Sequence, residues 1–162
     1  MYVDSGVLLK LYVSEPESDA VQQAIANAVE VTCSELLLAE FQSALSRKLR
    51  EGQIDAYAAN EFMAALRRNI EEGAISIVKL DSSTIEAAVK LLAKMPDEIP
   101  LRTLDAIHLA VCLENKLFPL FTTDGVMSKA ARHLKIPLTD SSVKPASPKH
   151  RKQSENKKSM FL

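Results

Sequence analysis

Residues 101–112 read LRTLDAIHLAVC, an apolar run that contains a single carboxylate, that of Asp105. If the run is helical, its leucine, isoleucine and valine side chains cover most of the circumference, which predicts a helix buried on several sides. An unpaired carboxylate removed from water costs several kcal/mol or more. Asp105 therefore needs a partner. Three are available: the dipole at the start of its own helix, the neighbouring Arg102, and a metal cation.

Outward from this helix, short strand-like segments alternate with longer amphipathic helices. The predicted strands are MYV (1–3), VEVTC (29–33), AISIVKL (74–80), LFPLFTT (117–123) and a closing IPLTD (136–140). A long helix is predicted between the second and third strands, with Ser34 as its N-cap and Gly52 at its end. Strands interleaved with helices predict an α/β fold, a three-layer domain with a central parallel sheet flanked by helices.

Length and composition favour one globular domain with a sizeable core. The chain has 162 residues, of which 47% are hydrophobic. Cys33 and Cys112 show no paired spacing and so match neither a zinc pattern nor a disulfide framework, and we expect both to be core thiols in a reducing compartment. No basic leader precedes an apolar stretch, and no run approaches the roughly 18 apolar residues of a membrane span. We therefore expect a soluble, cytoplasmic protein with no membrane partner.

The charge is divided unevenly along the chain. From Lys144 onward there are six basic residues and one acid, so this segment carries +5 and the remainder carries −6. Residues 143–162 are therefore predicted to be a basic polar tail that is too polar to fold alone. Residues 1–142 are predicted to form the folded domain.

Four acids stand at positions that suggest chemistry. Asp4 follows the first predicted strand and Asp124 follows the fourth, and the carboxyl ends of parallel strands form the edge where open α/β sheets bind ligands. Asp105 lies at the start of the helix that precedes the fourth predicted strand, so its carboxylate can reach the same edge. Glu40 lies in SELLLAEFQSAL, flanked by apolar residues at helical spacing.

Each of these acids also has a local explanation. Asp4 could cap the helix that begins at Ser5, Asp124 could belong to a turn or a cap, and Glu40 could lie on a solvated helix face. Four acids converging at one edge would repel each other unless a cation neutralised them. Hard oxygen ligands of this kind suit Mg²⁺ or Mn²⁺.

In this order, the segments YVDSGVLLKLY, SELLLAEFQSAL, LRTLDAIHLAVC and LFTTDGVMSKAARHLKIPL resemble the PIN-domain ribonucleases. They are most similar to the VapC-like toxins of type II toxin–antitoxin systems. The resemblance covers nearly all of residues 1–140. It implies a PIN-like nuclease domain in which carboxylates hold Mg²⁺ or Mn²⁺ and water attacks the RNA phosphodiester, leaving a 5′-phosphate and a 3′-hydroxyl.

The resemblance also implies roles for individual residues. The expected catalytic and metal-binding residues are Asp4, Glu40, Asp105 and Asp124. The expected supporting residues are Ser5, Thr122 and Arg102, which would orient ligands, water or phosphate. Family members often carry a further acid shortly after the position of Asp124, where this chain has Gly125, so one or two metal ions are both possible.

His108 lies one helical turn after Asp105 and invites a role as base or ligand. The implied chemistry does not require it, and we expect a satisfied core or interface histidine. The basic residues expected to face RNA are Lys10, Arg47, Lys48, Arg50, Arg67 and Arg68. Three of them, Arg47, Lys48 and Arg50, also suit the C-terminus of a helix.

The implied partners are an RNA substrate, a cognate antitoxin protein and a second copy of the chain in a homodimer. Two related alternatives remain open at the sequence level, a catalytically inactive PIN-like module that binds RNA or protein and an RNA-processing nuclease without an antitoxin. An acidic-pocket phosphatase would also use Mg²⁺ near Asp4. It requires a second aspartate after the first strand and a lysine before the last helix, which this chain lacks.

Overall fold

The computed structural model describes residues 1–139. The expected tail, 143–162, and the expected domain boundary at 142 lie outside the described residues. Within residues 1–139 the strands are β1 (Tyr2–Val3), β2 (Thr32–Ser34), β3 (Ser76–Val78) and β4 (Leu120–Phe121). The helices of the same part are α1 (Ser5–Tyr12), α2 (Ser18–Ala26), α3 (Leu36–Arg50), α4 (Ala56–Glu71), α5 (Ser82–Lys94), α6 (Thr103–Glu114) and α7 (Gly125–His133).

The four strands form one parallel sheet in the order β3-β2-β1-β4. Strand β1 is central, because Tyr2 is paired with both Thr32 of β2 and Leu120 of β4. All four strands therefore end at the same edge, which carries Asp4 directly after β1 and Asp124 shortly after β4. The predicted parallel α/β fold is confirmed.

The sheet has a hydrophobic core on each face. Successive side chains of a strand point to opposite faces, and accordingly Tyr2 and Leu120 join one apolar cluster while Val3 and Phe121 join the other. The cluster around Val3 is built mainly by α1, α2, α3 and α4, and the cluster around Tyr2 mainly by α5, α6 and α7. This gives the predicted three layers of helix, sheet and helix.

Two local predictions are wrong. Ser34 does not cap α3, because it lies in β2 and is paired with Val78 of β3. The segment IPLTD is not a strand over its described residues, and it contributes one isolated bridge between Leu138 and Leu120. Pro137 has no N–H to donate, which limits the hydrogen bonding that this segment can add to the sheet.

Helix α6 is buried as predicted, with one qualification at its start. Every residue from Ala106 to Cys112 is buried. Leu104, expected to be buried, is 44% exposed, and Asp105 is half-buried. The helix thus enters the core from an outer end that carries the carboxylate. Among residues 1–139, no helix is both long and apolar enough to cross a membrane.

Candidate active site

Asp4 caps helix α1 and is almost fully buried, with 6% of the residue exposed. Its Oδ1 accepts a hydrogen bond from Val7 N at 2.7 Å, and its Oδ2 accepts one from Thr122 Oγ1. Burial raises the pKa of Asp4 above its usual value, and hydrogen bonds from Thr122 and Val7 together with the charge of His108 offset this only in part. The charge of Glu40 raises it further. Asp4 therefore caps α1 and at the same time has a pKa above its usual value, so its ionised form is disfavoured in the metal-free protein.

Asp124 caps helix α7 and is exposed. Its Oδ1 accepts a hydrogen bond from Met127 N at 2.7 Å, and its backbone N–H donates to Thr122 Oγ1 at 3.0 Å. The Thr122 hydroxyl therefore links Asp124 to Asp4 across two strands. The cap explanation holds for both aspartates, but it leaves carboxylate lone pairs unused, because an ionised carboxylate offers about four acceptor sites.

Glu40 lies in the second turn of α3 and is about one-quarter exposed, with 24% of its side chain accessible. Its Oε2 accepts hydrogen bonds from Ser5 Oγ at 2.5 Å and from His108 Nε2 at 2.8 Å. Burial by itself raises the pKa of Glu40, but the hydrogen bond and charge of His108, together with the Ser5 bond, bring it below its usual value. Glu40 is therefore an ionised carboxylate held by two side chains rather than a freely solvated one.

Asp105 occupies the first turn of α6. Burial raises the pKa of its carboxyl, the charge of Asp124 raises it further, and Arg102 and His108 compensate only in part. Arg102 is exposed and stands at the N-cap of α6 without a side-chain capping bond. The carboxylates of Asp105 and Asp124 are thus electrostatic neighbours that come from different elements.

His108 is a core histidine, as expected, with 2% of the residue exposed. Its Nδ1 lies 2.6 Å from Tyr2 Oη and 3.5 Å from Ser34 Oγ, and its Nε2 bonds Glu40. The sequence interpretation missed Tyr2 and Ser34 as neighbours of the site. The strand periodicity of Tyr2 against Val3 was a usable signal, because it directs the phenol toward the α6 face of the sheet.

The acids form two electrostatic pairs, Asp4 with Glu40 and Asp105 with Asp124. Among residues 1–139, no three or more carboxylate, imidazole or thiolate side chains are arranged as a ready-made metal site. Mg²⁺ in proteins often keeps several waters and contacts only one or two carboxylates. The donor set, all of it hard oxygen and partly self-repelling, therefore fits a divalent ion of this kind.

Two of the basic residues expected to face RNA are held by acids. Lys10 Nζ forms an ion pair with Glu17 Oε2 at 2.8 Å. Lys48 is buried, with Nζ 2.5 Å from Glu15 Oε1 and 3.1 Å from Gln53 Oε1. Lys48 thus stabilises the contact between α3 and the loop after α1. The other four, Arg47, Arg50, Arg67 and Arg68, are exposed.

A family model described as PIN domain matches residues 1–133, which include the whole parallel sheet and the four acids. The chain belongs to the PIN-domain family.

The chain is similar to Ribonuclease VapC46 of Mycobacterium tuberculosis (strain ATCC 25618 / H37Rv), with 35% identity over 136 residues. The match covers 83% of this chain and 92% of VapC46. The fold is similar to that of VapC20 of Mycobacterium tuberculosis, a toxin that cleaves the sarcin–ricin loop. That match has a TM-score of 0.65 at 21% identity and covers 80% of this chain and 93% of VapC20. A toxin–antitoxin complex from Klebsiella pneumoniae also contains a similar chain, with a TM-score of 0.53 at 18% identity over 76% of this chain and 85% of that one.

Proposed function

We propose that this protein is a metal-dependent endoribonuclease that hydrolyses RNA phosphodiesters and acts as the toxin of a toxin–antitoxin pair. The observation that carries the proposal is the 35% identity to a ribonuclease over most of both chains. The coupling of two acid pairs at the carboxyl edge of the sheet supports it, because that edge is the usual ligand site of α/β sheets.

Asp4, Glu40, Asp105 and Asp124 are the proposed metal ligands, with Mg²⁺ or Mn²⁺ as the ion. The raised pKa values of Asp4 and Asp105 support this assignment. Burial is the main cause and the charges of Glu40 and Asp124 add to it, and a bound cation favours the ionised carboxylates against both effects. The chemistry such an ion supplies is activation of water and stabilisation of negative charge on the phosphodiester.

The remaining residues of the site hold these ligands and receive the RNA. Ser5 donates to Glu40, and Thr122 donates to Asp4, so both keep the carboxylate oxygens fixed before substrate arrives. Arg102 is exposed beside Asp105 and is the proposed contact for a backbone phosphate. Within residues 1–139, no histidine takes the part of a base in this scheme. His108 is buried with both ring nitrogens engaged, and His133 lies at the far end of α7.

The proposed protein partners are a cognate antitoxin and a second copy of the chain. Similarity to a chain of the Klebsiella toxin–antitoxin complex supports the first. For the homodimer, which the family resemblance implies, Ile85 and Val89 lie one turn apart on α5 and are 43% and 53% exposed, so they are two apolar side chains that a second copy would cover. We place the protein in the cytoplasm, where its RNA substrate is found and where Cys33 and Cys112 remain free thiols.

The test is cleavage of a pool of structured RNA by purified protein with Mg²⁺, Mn²⁺ or a chelator. Asp105→Asn keeps the shape of the side chain and removes its charge, and we expect it to abolish turnover without unfolding the protein. Asp19→Asn, an exposed acid in the first turn of α2, is the matched control and should cleave like wild type. Full metal-dependent cleavage by Asp105→Asn would contradict the assignment of the site. No cleavage by wild type freed of bound inhibitor would favour a binding module.

A further inference from the structure

His108 connects the candidate active site to the core of the sheet. It is a titratable side chain buried among apolar residues of α6, and it spans the distance between the strand residue Tyr2 and the helix residue Glu40. These partners lie 106 and 68 residues away along the chain. A buried network with such distant partners fixes the relative position of three elements, β1, α3 and α6.

The hydrogen bond between His108 and Glu40 has one direction. An ionised carboxylate only accepts hydrogen bonds, so Nε2 of His108 carries a proton and donates it to Glu40. On the other side of the ring, Tyr2 Oη lies 2.6 Å from Nδ1. Each ring nitrogen thus has a close side-chain partner.

The ring itself has no freedom to turn. Tyr2 and His108 meet edge to face, with ring centroids 5.8 Å apart and an interplanar angle of 61°. Tyr2 is fully buried, and Ser34 Oγ closes a third side at 3.5 Å from Nδ1. A flip of the imidazole would turn a carbon toward Glu40 and leave the carboxylate without this donor.

Both hydrogen bonds to Glu40 from residues 1–139 end on the same oxygen, Oε2. Ser5 and His108 therefore occupy Oε2, and Oε1 accepts no hydrogen bond from the described part of the chain. A carboxylate held in this way presents one defined oxygen to a cation instead of sampling several rotamers.

We propose that His108 is a positioning residue of the ribonuclease site, in which Tyr2 and Ser34 hold the ring in place and Nε2–H holds Glu40 Oε2, so that Oε1 is left for the metal. This inference rests on the proposed function, because it needs Glu40 to be a ligand. It assigns the buried histidine a task in the activity although the imidazole touches neither metal nor RNA.

Two amide variants separate the positioning task from simple filling of the core. The side-chain nitrogen of glutamine overlaps the position of imidazole Nε2, whereas asparagine reaches only as far as Nδ1. His108→Gln thus keeps a donor for Glu40, and His108→Asn removes it, while both bury an amide in place of the ring. His133→Asn, an exposed histidine in the last turn of α7, is the control for the substitution itself.

The measurements are Mn²⁺ affinity by electron paramagnetic resonance and steady-state cleavage of RNA. We expect His108→Asn to weaken Mn²⁺ binding and to lower kcat by about 10–100-fold, as is usual when a residue that orients a metal ligand is lost. The KM for RNA should stay near the wild-type value, because the RNA contacts are unchanged. His108→Gln should recover most of both losses. Equal losses in the two variants, or none in His108→Asn, would overturn the inference.

A spectroscopic measurement on unmutated protein keeps the inference testable if both variants unfold. In ¹⁵N NMR of the imidazoles we expect His108 to carry a proton on Nε2. Saturating Mg²⁺ should shift the Nε2–H resonance, because Glu40 is its acceptor and also the proposed ligand. An Nε2 without a proton, or a resonance unmoved by Mg²⁺, would overturn the inference. Wild-type protein that neither cleaves RNA nor binds Mn²⁺ would overturn the proposed function and this inference with it, whereas active wild type with an equally active His108→Asn would overturn this inference alone.

Discussion

Thr122 Oγ1 donates a hydrogen bond to Asp4 Oδ2 and accepts one from the backbone N–H of Asp124. One hydroxyl thereby connects the carboxyl ends of the central strand β1 and its neighbour β4. A hydroxyl is suited to this position because it can donate and accept at once. The contact holds the first and the last acid of the site in a fixed relation.

Replacing this hydroxyl should weaken the site without disturbing the fold. Thr122→Val keeps the shape but leaves Asp4 Oδ2 without its donor, and a hydrogen bond to a charged group contributes about 1.5–3 kcal/mol. We expect kcat/KM for RNA cleavage to fall about tenfold or more, since 1.36 kcal/mol corresponds to a factor of ten. Thr122→Ser should retain most of the activity, and Thr123→Val is the control at the next residue. Full activity in Thr122→Val would show that the contact is dispensable.

Asp4 should destabilise the metal-free protein at neutral pH. Its pKa is raised in the folded state, so the folded protein binds its proton more tightly than the unfolded chain does. Stability from this group is therefore lost as pH rises from the unfolded value of about 3.9 through the raised folded value. Asp4→Asn, which keeps the acceptor for Val7 N, removes that loss.

We accordingly expect Asp4→Asn to raise the Tm in chelator at pH 7, with the gain disappearing below the unfolded pKa. Each kcal/mol corresponds to about 2–4 °C in a domain of this size. With saturating Mn²⁺ the order should reverse, because only wild type gains from binding. Scanning calorimetry across pH measures both effects. A lower Tm for Asp4→Asn in chelator at pH 7 would refute this account of the burial.

We expect Lys48 to contribute to the free energy of unfolding and not to the affinity for RNA. Lys48→Met leaves the partly buried Glu15 without its cation, and an unsatisfied group of this kind costs about 1–3 kcal/mol. Arg47→Met, an exposed cation next to it, should change the free energy of unfolding by less than about 0.5 kcal/mol. Urea denaturation measures both. If Lys48→Met kept wild-type stability but lost RNA affinity, Lys48 would be a contact for RNA and not a stabilising ion-pair partner.

Arg102 should act on RNA binding more than on the chemical step. Arg102→Gln removes an exposed charge at the start of α6, and we expect a KM for RNA several times higher with a smaller change in kcat. The slope of log affinity against log salt should decrease by about 1, as for the loss of one phosphate contact. Arg132→Gln, exposed in the last turn of α7, is the matched control. An unchanged salt dependence would exclude a phosphate contact.

The order of elements and the burial of α6 could be predicted because both follow from local patterns. Apolar spacing distinguishes helix from strand, and the continuous apolar run from Ala106 to Cys112 leaves no polar face for water. The position of Asp4 after the first strand and of Asp124 after the fourth placed both at the carboxyl edge once a parallel sheet was inferred. The assignment of the four acids as metal ligands remains a prediction.

The two errors have different physical reasons. Ser34 is a residue type that commonly caps helices, but it pairs with the distant Val78 and so belongs to β2. The segment 136–139 has a strand-like composition, but Pro137 lacks the N–H that a ladder requires. The first outcome depends on a partner strand far along the chain, whereas the second could have been found from the proline itself.

The sequence by itself determined the α/β class, the layering and the position of Asp4 and Asp124 after strands, because hydrophobic period and strand ends are local properties. Only the tertiary structure joined Thr122 to Asp4, 118 residues away, and His108 to Glu40, 68 residues away. Which donor meets which carboxylate depends on how β1, α3 and α6 pack, and that packing is fixed by two apolar cores acting together. Hydrogen bonds between such distant residues have no periodic signature in the chain, since they form only after burial has brought the elements together.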